Sequence, residues 1–215
     1  MKKKLMELVF ILDRSGSMSG LEGDTIGGYN GLLEKQKKES GQAVITTVLF
    51  DDKYELLHDR INLQGINPIT DKEYYVRGTT ALLDAIGKTI NKIANAQKHT
   101  KEEEQAEQVM FVITTDGMEN ASREFSYEKI RQMIEKQKEK FNWEFIFLGA
   151  NIDAIATAAS LGINEDRAAT YNSDEEGTNL NYQVLNALVS DMRLCNSVPT
   201  NWKNKIEEDL KNRGK

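Results

Sequence analysis

The chain has 215 residues, 39% hydrophobic and 29% charged, with a formal charge of −6. That length predicts one large domain able to bury a core without disulfides or metal staples, in an ordinary soluble globular protein. The acidic balance argues against a nucleic-acid partner, and no run approaches the ~20 apolar residues of a membrane span.

The opening "MKKKLMELVFIL" superficially resembles a secretory leader. Glu7 interrupts its apolar run and no small-residue cleavage site follows, so the expectation is a cytoplasmic protein with no membrane contact. Residues 5–12 read instead as a strand covered on both faces. Residues 20–39 place Ile26, Tyr29 and Leu33 at helical spacing, although five glycines at 20, 23, 27, 28 and 31 oppose a helix. "AVITTVLF" (43–50) is a β-branched strand; Asp51 to Lys53 form a turn, and residues 54–60 return as the hairpin partner. A long connection covers 61–79.

From Ala81 the period changes: Leu82, Ile86, Ile90 and Ile93 mark an amphipathic helix to about Gln97. "VMFVITT" (109–115) is a second buried strand, closed by Asp116 and Gly117. Tyr127, Ile130 and Ile134 mark a helix capped by Ser126. A strand at 143–150, an alanine-rich helix at 153–161 stopped by Gly162, and a weak strand at 167–172 follow. Leu180, Val184, Leu188 and Met192 give another helix, and Trp202, Ile206 and Leu210 a last one.

This alternation predicts an α/β fold with a doubly wound, mostly parallel sheet of about six strands, residues 54–60 forming the antiparallel edge, and helices on both faces. The whole chain, 1–215, reads as one domain: a core over about 5–172 with a helical extension over about 173–215 packed on it. The lysine-rich stretches at 2–4, 35–38 and 136–140 read as solvated faces. Cys195, the only cysteine, reads as a small buried hydrophobe, and His58 and His99 as surface residues.

In open α/β sheets ligands bind at the carboxyl ends of the strands, where strand order switches. Asp13 and Asp116 each close a central strand there. Two carboxylates ~5 Å apart repel by about 3 kcal/mol at an effective dielectric of ~20, so such a pair shifts a pKa or holds a cation. After Asp13 come Ser15 and Ser17, and in an extended loop residues 13, 15 and 17 point the same way. One carboxylate and two hydroxyls on one point suit Mg²⁺, Mn²⁺ or Ca²⁺. Taken alone, the same segment also fits a turn with helix-capping serines.

"DRSGS", "GTTALLDAI" and "TTDG", in that order and each at a strand-to-helix junction, resemble the three motifs of the von Willebrand factor A domain, over about residues 5 to 172. The resemblance implies a Rossmann-like fold and a metal-ion-dependent adhesion site (MIDAS) made by Asp13, Ser15, Ser17, Thr80 and Asp116. The threonine is Thr80 by the family pattern, with Thr79 as the alternative. The hydroxyls would bind Mg²⁺ (or Mn²⁺ or Ca²⁺) directly and one or both carboxylates through water. The resemblance further implies a protein-binding module, not an enzyme, that takes an Asp or Glu of a partner onto the ion. Arg14, Met18, Arg77, Met118, Glu119 and Asn120 would rim the site. A metal-assisted hydrolase acting on phosphoryl or acyl groups is the competing reading, with Glu119 as the one nearby base.

Overall fold

A computed structural model describes residues 5–214; the lysines at 2–4 lie outside them. The chain runs β1 (Leu5–Asp13), α1 (Glu22–Lys37), β2 (Gln42–Phe50), β3 (Tyr54–Asn62), α2 (Leu82–His99), β4 (Gln108–Asp116), α3 (Tyr127–Phe141), β5 (Glu144–Ala150), α4 (Ala154–Ser160), β6 (Ala168–Thr170), α5 (Glu175–Cys195) and α6 (Asn204–Arg213). The sheet order is β3-β2-β1-β4-β5-β6, and every pairing is parallel except β2 with β3. The order reverses between β1 and β4, the two strands that end in Asp13 and Asp116.

Alternation along β1 divides the core. Leu8, Phe10 and Leu12 join α1, α5 and α6 on one face of the sheet; Val9 and Ile11 join α2, α3 and α4 on the other. A strand buried on both faces is apolar over most of its length, which is why residues 8–12 of β1 and 109–113 of β4 read as hydrophobic runs. Val184, Leu185, Leu188 and Val189 place α5 within the first core. One of the α1 glycines has a reason there: a Cβ on Gly28 would lie 2.2 Å from the Tyr182 ring, so glycine admits the close approach of α5.

Two sequence expectations fail. Cys195 is exposed, not buried. The helix ends on it, Asn196 turns the chain in a left-handed conformation (φ 56°), and Met192 and Val198 take the inward positions. His99 is exposed as expected, but His58 is half-buried on β3, with Nδ1 3.0 Å from Thr47 Oγ1. Burial pushes its pKa down, opposed by the charge of Glu73.

Candidate metal centre

Three loops at the carboxyl edge of the sheet bring together Asp13, Ser15, Ser17, Thr80 and Asp116. The first follows β1, the second precedes α2 and the third follows β4. The Thr80 hydroxyl donates to Ser15 Oγ at 3.0 Å, and Ser15 Oγ lies 3.1 Å from Ser17 Oγ. Ser17 Oγ in turn donates to the carbonyl of Asp116. Asp13, Ser15, Thr80 and Asp116 are all at most 4% exposed, whereas Ser17 and Thr79 face solvent. Thr79 lines an outer polar groove with Asp52, Lys53 and Asn120 and has no part in the hydroxyl chain.

Both carboxylates are held by donors from the protein. Asp13 Oδ1 accepts the Ser15 amide at 2.7 Å, and Oδ2 accepts the Thr115 hydroxyl at 2.7 Å and the Asp116 amide at 3.2 Å. Asp116 Oδ1 accepts Asn151 Nδ2 at 2.6 Å, and Oδ2 accepts the Ser173 hydroxyl. Burial raises the Asp13 pKa, and the bonds from Ser15, Thr115 and Asp116 partly offset it. Desolvation is thus the leading perturbation of Asp13.

Thr115, Asn151 and Ser173 are contributors that sequence reasoning missed. Thr115 and Asn151 had a legible signal, since one is the last residue but one of β4 and the other follows the end of β5 at this same edge. Ser173 had none: it reaches Asp116 from the turn before α5, 57 residues away.

The supposed rim is also partly wrong. Arg14 is fully buried: Nε is 3.0 Å from Asp51 Oδ2 and Nη2 2.6 Å from Glu55 Oε2. Extended backbone sends alternate side chains to opposite sides, so Arg14 points away from the site that Asp13 and Ser15 face. Asp51 does make the expected turn, accepting the Lys53 amide at 2.7 Å, and it is also the buried centre of an ion-pair network. Burial alone would raise its pKa; the hydrogen bonds from Arg77 and Lys53 and the charges of Arg14 and Arg77 outweigh that and lower it. Met18 is buried as well. Met118, 74% exposed, is the rim residue that projects freely.

Glu119 and Asn120 tie the loops to one another. Both Glu119 oxygens are taken, by the amides of Leu83, Ala121 and Ser122 and by the Ser122 hydroxyl. Asn120 Oδ1 accepts the Thr80 amide at 2.9 Å, and its own amide donates to the Thr80 carbonyl at 3.0 Å. Replacing Asn120 with alanine strands the Thr80 amide, an expected loss of about 1–2 kcal/mol. Urea unfolding measures it, and a loss near zero would mean that the loop finds another acceptor.

The donor chemistry fits a hard divalent cation. The Ser15, Ser17 and Thr80 hydroxyls meet the Asp116 carbonyl beside the Asp13 carboxylate, and no soft or imidazole ligand is among them. Among the described residues no group of three or more His, Cys, Asp and Glu side chains could hold a metal ion, so a site here depends on the hydroxyls.

No family model matches the sequence, and no curated protein matches it. Solved structures do resemble it in fold. The manganese-loaded Plasmodium vivax TRAP protein is 19% identical with a TM-score of 0.59, over 84% of this chain and 73% of that one. Proximal thread matrix protein 1 from the mussel byssus, with a zinc-occupied MIDAS motif, is 12% identical with a TM-score of 0.55; 86% of this chain covers 46% of that one. The vWF domain of the type V pili tip protein Mfa5 from Porphyromonas gingivalis is 11% identical with a TM-score of 0.57, over 85% of this chain and 95% of that one. The chain therefore spans about half the length of the byssus protein. Sheet order, the two helical layers and these likenesses lead to one conclusion: the chain has the von Willebrand factor A fold.

Proposed function

We propose that the protein is a metal-dependent protein-binding module, not an enzyme. The observation that supports this reading is the chain of Thr80, Ser15 and Ser17 hydroxyls at the switch point of the sheet, joined to the buried Asp13 and Asp116 through the Ser15 amide and the Asp116 carbonyl. Ser15, Ser17 and Thr80 would hold the ion directly, with Asp13 and Asp116 acting through water. Mg²⁺ is the proposed ion, with Mn²⁺ or Ca²⁺ as substitutes. A bound cation whose nearest protein ligands are neutral would supply an electrophilic position for an outside carboxylate. The partner is therefore proposed to present an Asp or Glu.

The hydrolase reading loses its base. Both Glu119 oxygens accept loop donors, so proton abstraction there would first break bonds that shape the site. The adhesion reading needs no base.

Selection of displayed peptides on the Mg²⁺-loaded protein tests the proposal. Recovered peptides are expected to carry an Asp or Glu, and their binding to weaken by at least about tenfold in EDTA or with Ser15→Ala. Changing the peptide acid to its amide should have the same effect. Peptides that bind equally well in EDTA and to Ser15→Ala would overturn the proposal.

A further inference from the structure

We propose that Arg14 is a positioning residue for the metal loop: its buried guanidinium clamps residues 13–17 and so sets the Ser15 and Ser17 hydroxyls in place. The inference rests on the reading of that loop as a metal site. D-x-S-x-S leaves the residue after the aspartate open, yet this chain fills it with one of its largest fully buried side chains.

An arginine offers five donors in a rigid planar fork, so its partners fix its position in several directions at once. Here Nε meets Asp51 at 3.0 Å, Nη2 meets Glu55 at 2.6 Å and Nη1 meets the Glu73 carbonyl at 3.3 Å. The guanidinium carbon also stands 5.3 Å from the centre of the Tyr75 ring. One side chain thereby ties the loop to the β2–β3 hairpin and, through Glu73 and Tyr75, to the connection between β3 and α2.

The main chain makes the same attachment. The Arg14 amide donates to the Phe50 carbonyl at 2.8 Å, and its carbonyl accepts the Arg77 amide at 2.9 Å. One residue beyond Ser15, the Gly16 amide donates to Gly78 at 3.1 Å. Ser15 thus lies between two anchored residues.

Stability alone does not call for such a network, because apolar residues of similar volume commonly replace a buried ion pair without loss. Directional bonds do set a loop to a fraction of an ångström, and ligand positions must be held that closely. Neutral hydroxyls attract a cation less than carboxylates do, so affinity here leans on their preorganisation.

Arg14→Lys separates charge from geometry: it keeps the cation and removes the fork. Calorimetric titration with Mn²⁺ is expected to show about tenfold weaker binding, within the range for residues that orient metal ligands. In EDTA, the amides of residues 15–18 should exchange faster than in the native protein, while those of β5 and α5 keep their rates. Glu55→Gln removes one partner at a half-exposed position and serves if the lysine variant does not fold; it should weaken Mn²⁺ binding about threefold, a smaller loss of the same kind. Ile134→Val, a core change on α3, is the control for lost stability and should leave Mn²⁺ affinity unchanged.

Mn²⁺ affinity within twofold of native in Arg14→Lys, or in Glu55→Gln if it is the variant used, would overturn the clamp and leave Arg14 a stability residue. If the native protein takes up no Mn²⁺, the reading of the site fails instead. The exchange rates in EDTA then decide the clamp by themselves: faster exchange at 15–18 supports it, and unchanged exchange overturns it.

Discussion

Asp51→Ala is expected to destabilise the protein by about 3–5 kcal/mol, the usual consequence of removing one partner from a buried ion pair. Asp51 is fully buried, with Oδ2 3.0 Å from Arg14 Nε and 2.6 Å from Arg77 Nε. Without it the buried Arg14 guanidinium keeps Glu55 and the Glu73 carbonyl but loses its bond at Nε. The turn into β3 also loses the acceptor for the Lys53 amide. Arg77 suffers less, since it is partly exposed and water can replace the carboxylate.

The same group adds an acid limb to stability. Its folded pKa is lowered, so its contribution is present above the unfolded carboxylate value of about 3.9 and is lost as pH falls through the folded value. Asp51→Asn should therefore flatten stability against pH below about 4 relative to the native protein. Urea midpoints at neutral pH and across the acid range test both statements. A neutral-pH loss below about 1 kcal/mol for Asp51→Ala would show that water or Glu55 satisfies the guanidinium unaided.

Addition of Mg²⁺ or Mn²⁺ is the second large effect. At 100 times the dissociation constant a ligand that binds only the folded state stabilises by about 2.7 kcal/mol. For a chain of this size that is a rise in Tm of roughly 5–10 °C. EDTA should reverse it, and Ser15→Ala should abolish it while leaving net charge unchanged. Thr80→Ala should act like Ser15→Ala, because the two hydroxyls meet at 3.0 Å, whereas Thr79→Ala should leave the rise intact. Melting curves that do not move at millimolar metal would remove the case for an ion here.

The central strands were legible because burial on both faces demands largely apolar runs, and Asp13 and Asp116 mark their ends. Ser126 was legible as a cap because its geometry is local, and it does accept the Lys129 amide. Helix α1 was harder, since helix propensity counts its glycines as defects while the packing of α5 requires one of them. Arg14 misled because a charge reads as exposed; only the return of the chain at Asp51 and Glu55 explains its burial. The partners of Asp116 were hidden for a like reason, as Asn151 and Ser173 reach it from 35 and 57 residues away. Cys195 shows the opposite error: a sound helical period gives no warning that the helix is about to end.

That misplaced cysteine has a practical use. It is the only thiol in the chain and it is exposed, so one maleimide reagent would label the protein at a single position without mutation. The label would sit at the far end of the 21-residue α5, roughly 30 Å along the helix from the turn whose Ser173 touches Asp116. A nitroxide there and a paramagnetic Mn²⁺ at the hydroxyl cluster would form a molecular ruler of known ends, on a surface well removed from the face where a partner's carboxylate would arrive.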